Sequence, residues 1–285
     1  MKILLAKNAG FCFGVKRAVD MAFNAINKHK ENVYTLGPII HNPQVVHKLE
    51  EQGVFQISSL DDIDKGLVIL RSHGISSLTI FSEAEERGIE IVNATCPFVK
   101  KLQEYARMLI DEGYQVILVG DKKHPEVQAV VSQSGGEIIV GEKYDEIKGL
   151  ITQRKIGIIT QTTQRGNRFL DMAVRCIKDG KEIKIYNTIC DATAIRQKEA
   201  ESLAEKVDAM IIVGGRISAN TTRLASICKG IIKDVYHIET AREIEAKWVK
   251  NAKIIGITGG ASTPDWIIKE AIDCLKEIGG EVQNN

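Results

Sequence analysis

The sequence predicts an α/β protein made of three related units, and three observations support this fold class. Short apolar runs rich in Val and Ile alternate with amphipathic helical runs along the whole 285-residue chain. A cysteine separates a strand-like from a helix-like run three times, at intervals of roughly ninety residues, namely at Cys12, Cys96 and Cys190. In each interval the next strand ends in glycine and is followed by a polar loop, with the glycines at Gly37, Gly120 and Gly214.

The first unit begins with an expected strand over residues 2–6, which leads to Cys12 and a helix. That helix keeps apolar residues at i, i+3 and i+4 spacing, including Val15, Ala18 and Val19. Beyond it, the apolar runs predict further strands, and the amphipathic stretches between them predict helices at 45–51 and 77–87. The expected strands lie at 33–36, 54–57, 67–70 and 89–92.

The second and third units repeat this order of elements after Cys96 and Cys190. Their expected strands lie at 116–119, 137–140, 155–160, 183–186, 209–213 and 253–258, with helices at 167–178 and 264–277. Each cysteine needs a strand before it, but the third unit ends with only GGEVQNN. We therefore expect residues 2–6 to complete the third sheet. The expected domains are 13–95, 96–189 and 190–285, the last completed by residues 1–12.

Composition excludes several classes of function. The apolar content of 44% and charged content of 26% are those of a globular protein. A net charge of +1 predicts no nucleic-acid or membrane-surface partner, since either would need a basic patch. No apolar run approaches the ~18 residues of a membrane span. The start, MKILLAKNAG, does not read as a signal peptide, so we expect a cytoplasmic, reducing compartment without disulfides.

Polar side chains follow the two central strands of each unit. Because carboxyl ends of parallel strands meet at one sheet edge, where ligands bind, three such edges around a common axis would form one central pocket. Small hydrogen-bonding or chargeable groups of this kind suit a phosphate or diphosphate, and imidazoles can be cationic near neutral pH. The residues concerned are His41, His73, His124, Thr162, Thr163, Ser218, Asn220 and Ser262.

Glu126 is a carboxylate within the His124-Pro125-Glu126 loop, close to a repeat position. It is a candidate proton donor or relay. The competing interpretation is a helix N-terminal Glu that interacts only with the helix dipole. The loops contain no P-loop and no convincing G-x-G-x-x-G after a strand, so bound NAD or flavin is not indicated.

The six cysteines fall into two groups. Cys176, Cys228 and Cys274 lie on apolar helix faces, which favours a role in the core. The other three stand at strand-to-helix junctions. Structural zinc takes four protein ligands, usually from C-x₂₋₄-C pairs that this chain lacks, although a three-cysteine zinc site with an open position is a remaining alternative. An iron–sulfur cube held by three thiolates leaves one iron available to a substrate oxygen.

Nine motifs of the chain resemble those of the 4-hydroxy-3-methylbut-2-enyl diphosphate reductase family, which ends the non-mevalonate route of isoprene biosynthesis. They occur in the family's order over nearly the whole chain. The motifs are GFCFGVKRAV, GPIIHNPQVV, RSHGIS, NATCPFV, KKHPEVQAV, TQTT, TICDATAIRQ, SANTTRL and GGASTPDW.

The resemblance implies a trefoil of three α/β domains around a 4Fe-4S cluster on Cys12, Cys96 and Cys190, with the substrate's C4 hydroxyl on the open iron. It implies protons from Glu126, a Thr162 hydrogen bond to that hydroxyl, and ferredoxin or flavodoxin as electron donor. The remaining polar residues would hold the allylic diphosphate: His41, His73, His124, Thr163, Ser218, Asn220 and Ser262. Family members often carry a second Ser where this chain has Ala219, a place where a backbone N–H could substitute.

Two other classes of function fit a cluster on three cysteines. A non-redox hydro-lyase or synthase could use it, as quinolinate synthase does in a similar trilobed layout, and would turn over without reductant. A cluster-based sensor would show no substrate-induced spectral change and would not need the diphosphate-like loops.

Overall fold

The computed structural model describes residues 1–29 and 32–283, and these form thirteen strands and ten α-helices. Residues 30–31 of the first expected domain and 284–285 of the third lie outside the described residues. The strands are β1 Lys2–Leu5, β2 Val33–Leu36, β3 Val54–Ile57, β4 Leu67–Leu70, β5 Glu90–Asn93, β6 Gln115–Val119, β7 Ile138–Gly141, β8 Lys155–Thr160, β9 Glu182–Ile185, β10 Ala209–Val213, β11 Val235–Ile238, β12 Ile254–Gly259 and β13 Glu281–Gln283.

The helices connect these strands and begin at or near the predicted positions. One difference is α3, which starts at Ile80 instead of residue 77, with Thr79 at the N-cap position. The helices are α1 Phe13–Lys28, α2 Pro43–Glu50, α3 Ile80–Glu86, α4 Pro97–Asp111, α5 Pro125–Gln133, α6 Gly166–Cys176, α7 Asp191–Ala204, α8 Ala219–Lys229, α9 Ala246–Val249 and α10 Asp265–Glu277. In the described part of the chain, no helix is both long and apolar enough to cross a membrane.

The strands form three sheets whose strand orders correspond. The orders are β3-β2-β4-β5, β7-β6-β8-β9 and β11-β10-β12-β1-β13, and the pairs in each sheet are parallel. In every sheet the strand that precedes a cysteine lies beside the second central strand. The predicted fold class, α/β with three related parallel sheets, is confirmed.

The N-terminal strand β1 lies in the third sheet, as expected from the missing strand at the end of that repeat. Ile3 pairs with Ile255 of β12 on one side and with Val282 of β13 on the other. Strand β13 was not predicted, because its three exposed residues carry no apolar run. Strand β11 was not predicted either, since VYHI is short and contains a histidine.

The central strands are buried on both faces, which explains why they read as continuous apolar runs. In the third sheet, Ile211 packs in one cluster with Leu275 of α10, whereas Met210 packs in another with Leu203 of α7. Helices therefore cover both faces of this sheet. The same holds for the second sheet, where Leu102 of α4 belongs to one cluster while residues of α6 belong to the other.

The chain divides into two compact units, which differ from the three sequence repeats and are called the first and second unit from here on. One comprises Met1–Lys16, His41–Val45 and Asp191–Asn285, and contains the third sheet. The other comprises Arg17–Ile40 and Val46–Cys190, and contains the first and second sheets. The boundaries of the three expected domains stay predictions.

Candidate active site

Each of the three repeat cysteines stands directly before the first residue of a helix. Cys12 precedes α1, Cys96 is the N-cap residue of α4, and Cys190 precedes α7. None of the three cysteines forms a disulfide with another described residue, and all three are partly buried. The Val15 N–H donates to Cys12 Sγ over 3.5 Å. Because the N-terminus of a helix carries partial positive charge, these positions suit an anionic ligand.

The backbone of each cysteine is held by the loop that follows the second central strand of its sheet. The Cys12 N–H donates to Ala261 O over 3.0 Å, and the Cys96 N–H donates to Ser72 O over 2.9 Å. The third cysteine does the same, with Cys190 N–H to Thr162 O at 3.0 Å. The repeat seen in the sequence therefore extends to individual hydrogen bonds, because each cysteine N–H has an equivalent acceptor. The residues after the three acceptors are repeat equivalents, namely Ser262, His73 and Thr163.

Glu126 is the centre of a buried polar cluster in the second unit. The residue is 1% exposed, and its two carboxylate oxygens accept separate hydrogen bonds from Thr162. The Thr162 backbone N–H donates to Oε1 and the hydroxyl donates to Oε2, both over 2.7 Å. Since Thr162 O in turn accepts the Cys190 N–H, the carboxylate is connected to a cysteine loop through one residue. A carboxylate this well held is suited to proton transfer.

His124 lies beside Glu126, and one ring nitrogen is already engaged. The Glu126 N–H donates to His124 Nδ1 over 3.2 Å, so Nδ1 acts as an acceptor and Nε2 is left to donate to another group. The ring of His73 meets that of His124 edge to face, with centroids 5.7 Å apart.

Ser218 and Ser262 form the corresponding polar cluster in the first unit. The Ser262 hydroxyl lies 3.2 Å from Ser218 Oγ and 3.2 Å from His41 O. Ser218 caps α8 and accepts the Thr221 N–H over 3.4 Å. All of these side chains are buried, so the cluster is shielded from water within the unit.

Asn220 is a buried polar side chain of the same loop. It is 4% exposed, and neither amide atom makes a hydrogen bond to residues within the described ranges. Buried polar groups are nearly always hydrogen-bonded, so an unsatisfied amide needs an explanation. A bound polar ligand would supply both an acceptor and a donor.

Close backbone approach is required where the Ser218 loop meets the His41 segment. A Cβ added to Gly215 would lie 2.7 Å from His41 O, closer than side-chain carbons come to such atoms. Gly214, with φ of +142°, adopts a backbone conformation that favours glycine. Glycine at these two positions therefore allows the loop that carries Ser218 to lie against His41.

Some residues around these clusters were not found by sequence reasoning. One is His237 of β11, which is half-buried and whose Nε2 lies 2.8 Å from Gly214 O. Burial lowers the pKa of His237 below its usual value, so the ring is neutral at pH 7. Thr221 is fully buried against Gly214 and Gly260. Neither residue lies at a repeat position, so the threefold repeat could not predict a role for either of them.

Two of the three remaining cysteines are built into the core, as expected from their helix faces. Cys176 and Cys228 are fully buried, and burial raises the pKa of their thiols to about 11 and about 12. Cys274 is partly buried, and its thiol pKa is also raised. These thiols stay protonated at neutral pH and are poor metal ligands.

The predicted site residues are distributed over both units, and the second unit carries more of them. That unit contains His73, Cys96, His124, Glu126, Thr162, Thr163 and Cys190, and the first contains Cys12, His41, Ser218, Asn220 and Ser262. Across residues 1–29 and 32–283, no three His, Cys, Asp or Glu side chains are grouped so that they could hold a single metal ion.

Comparison with known proteins gives long matches. The family model described as LytB protein matches residues 3–276. A 4-hydroxy-3-methylbut-2-enyl diphosphate reductase of Pelobacter propionicus is 51% identical over 98% of this chain and 99% of its own length. The reductase of the same name from Trichlorobacter lovleyi is 50% identical, with the same coverage.

Two solved structures are also similar. One is described as (E)-4-hydroxy-3-methyl-but-2-enyl diphosphate reductase, the terminal enzyme of the non-mevalonate pathway; it is 43% identical, with a TM-score of 0.72, and the match covers 97% of this chain and 99% of that one. The other is a reductase from Plasmodium falciparum, with a TM-score of 0.92 at 26% identity, covering 100% of this chain and 92% of that one.

Proposed function

The chain belongs to the LytB protein family of non-mevalonate pathway reductases, and from that premise we propose the reaction that it catalyses. The substrate is 4-hydroxy-3-methylbut-2-enyl diphosphate, and the products are isopentenyl and dimethylallyl diphosphate. The single observation that carries this proposal is the buried Glu126–Thr162 pair, which is hydrogen-bonded directly to the Cys190 loop. A reduction that consumes protons needs a proton donor near the reacting group, and the Glu126 carboxylate is linked through Thr162 to the backbone of Cys190.

We propose that Cys12, Cys96 and Cys190 hold a 4Fe-4S cluster. Three soft sulfur donors at helix N-termini fit an anionic iron–sulfur group, and the Val15 N–H donates a hydrogen bond to Cys12 Sγ. When bound, the cluster would supply single electrons and a Lewis-acidic iron. The chain's part is to present the three thiolates, whose backbones are fixed by equivalent hydrogen bonds.

The diphosphate is assigned to the polar residues after the central strands. Ser218, Asn220 and Ser262 would donate hydrogen bonds, and the unsatisfied Asn220 amide is the observation that supports this assignment. Ala219 opens α8, where backbone N–H groups lack intrahelical partners and can donate to an anion. The remaining contacts would come from His41, His73, His124 and Thr163, with His124 donating through Nε2–H.

Protons are assigned to Glu126, and Thr162 is assigned to the substrate hydroxyl. Removal of the C4 hydroxyl consumes two electrons and two protons and releases one water. A protonated Glu126 can pass its proton towards the hydroxyl through the Thr162 Oγ1, which lies 2.7 Å from Oε2. Burial of Glu126 excludes water from the carboxylate. A ferredoxin or flavodoxin in the cytoplasm would deliver the electrons.

Anaerobic turnover with a small-molecule reductant tests the proposed reaction. With reduced methyl viologen, we expect both C5 diphosphates to form and two viologen electrons to be consumed per product. Omission of the reductant should stop product formation. Conversion without reductant would instead indicate a hydro-lyase, and failure to convert despite a complete cluster would indicate a sensor.

Replacing Asn220 with alanine is expected to raise KM for the diphosphate about 10- to 100-fold, with a smaller change in kcat. The reason is that hydrogen bonds to a charged ligand contribute about 1.5–3 kcal/mol each, whereas this amide makes no hydrogen bond within the described chain. The melting temperature of the ligand-free protein should therefore move by no more than about 3 °C. Asn167→Ala, at an exposed position of α6, is the control. An unchanged KM would contradict the assignment of Asn220 to the diphosphate site.

A further inference from the structure

A shallow groove of about 440 Å³ lies on the first unit between α7 and the segment that leads from β1 to Cys12. Its lining includes Lys7, Lys198 and Lys206, which are exposed, together with Ile195. Ile195 is 50% exposed, so an apolar side chain stands among three cations. Three like charges around one exposed apolar side chain favour a partner of the opposite charge.

The one carboxylate that lines the groove is already engaged. Glu199 accepts the Lys7 N–H over 2.5 Å and the Asn8 N–H over 3.0 Å. Its charge is therefore directed at the backbone instead of at the three lysines. Three further acidic residues, Asp191 and Glu201 of α7 and Glu205 directly after its end, are exposed but do not line the groove. The groove surface is consequently basic, although the chain as a whole has a net charge of only +1.

The groove adjoins the part of the chain that carries Cys12. Glu199 binds the segment at Lys7 and Asn8, and Arg196 Nη2 donates to Gly10 O over 2.9 Å. Hydrogen bonds thus connect helix α7 to Gly10, two residues before Cys12. The same helix begins directly after Cys190, and Ile195 follows that cysteine by about 8 Å along the helix axis.

We propose that this groove is the docking surface for the electron donor, an acidic one-electron carrier protein of ferredoxin or flavodoxin type. The inference rests on the proposed function, because it needs a cluster on Cys12 and Cys190. The lysines favour an acidic partner by charge complementarity. Docking here would serve electron transfer because the groove adjoins the segment that leads to Cys12, to which α7 is hydrogen-bonded. Two carriers are each oxidised by one electron for every product formed, and the two protons come from the enzyme's carboxylate and solvent.

The test is a charge reversal, Lys198→Glu with Lys206→Glu, in the cluster-loaded protein. For a reduced acidic ferredoxin, we expect kcat/KM to fall at least about 10-fold, because like charges at a docking surface slow association. The Kd of the oxidised ferredoxin, measured by calorimetry, should rise by a similar factor. In the wild type, kcat/KM should fall and Kd should rise as salt is raised from about 0.05 to about 0.5 M, since exposed charges are screened.

Turnover with reduced methyl viologen separates this proposal from the proposed function. The small reductant needs no docking surface, so the double variant should keep its viologen-driven rate within about 2-fold. Lys229→Glu with Lys269→Glu is the matched control, since both lysines are exposed on helices outside the groove. An unchanged Kd and kcat/KM for ferredoxin in the Lys198/Lys206 variant would overturn the docking proposal. Loss of the viologen-driven rate in the wild type would instead contradict the proposed function.

Discussion

Replacing Glu126 with glutamine is expected to lower kcat by about 10³-fold, or about 4 kcal/mol, while leaving the cluster in place. Glutamine has nearly the same shape, but its amide cannot donate a proton to the substrate. Its NH₂ group would also face one of the two Thr162 donors, where the wild type has a carboxylate oxygen. The measurements are viologen-driven turnover and iron content of the same anaerobic preparation.

Variants at Thr162 distinguish proton transfer from general damage. Thr162→Ser keeps the hydroxyl that donates to Glu126 Oε2 and should retain most activity. Thr162→Val removes that hydroxyl and should lower kcat more than it changes KM. Glu137→Gln, at an exposed position of the same unit, controls for loss of a carboxylate. Near-normal turnover of Glu126→Gln with a full complement of iron would show that this carboxylate is not the proton donor.

Replacing Cys96 with serine is expected to abolish cluster binding, with iron falling below about one per chain and turnover undetectable. A serine hydroxyl is a hard donor with a high pKa, so it is a poor replacement for a thiolate. The same result is expected at Cys12 and Cys190, because the three positions have equivalent backbone hydrogen bonds.

A matched cysteine outside the repeat supplies the control for these substitutions. Cys274→Ser, on α10 and partly buried, should keep both iron and activity. Circular dichroism and thermal melting of each variant show whether the chain still folds. A folded Cys96→Ser protein with full iron and wild-type turnover would contradict the assignment of this ligand.

The fold was largely predictable because its central strands are buried on both faces. Such strands are continuous apolar runs, so β2, β4, β8 and β10 were predicted with the bounds that the structure shows. The placement of β1 followed from counting one strand before each cysteine. Strand β13 could not be found, since its exposed residues are held only by backbone pairing with β1.

The candidate site was predictable as far as the repeat extended. Cysteines and polar loops recur at fixed positions, so a register argument could locate them without knowing any contact. The hydrogen bonds between these residues could not be predicted from the repeat register. The repeat alone did not distinguish Thr162 from Thr163, whereas the structure pairs Thr162 with Glu126 and makes Thr163 the equivalent of His73. His237 supports Gly214 from a strand and has no repeat partner.

Mössbauer spectroscopy of the anaerobic protein, combined with iron and sulfide analysis, tests the central claim most directly. The proposed three-cysteine site predicts about four irons per chain, one of them distinct from the other three. The distinct iron should change its spectrum when 4-hydroxy-3-methylbut-2-enyl diphosphate is added. Zinc in place of iron, or a full cluster with a spectrum that the substrate leaves unchanged, would contradict the account.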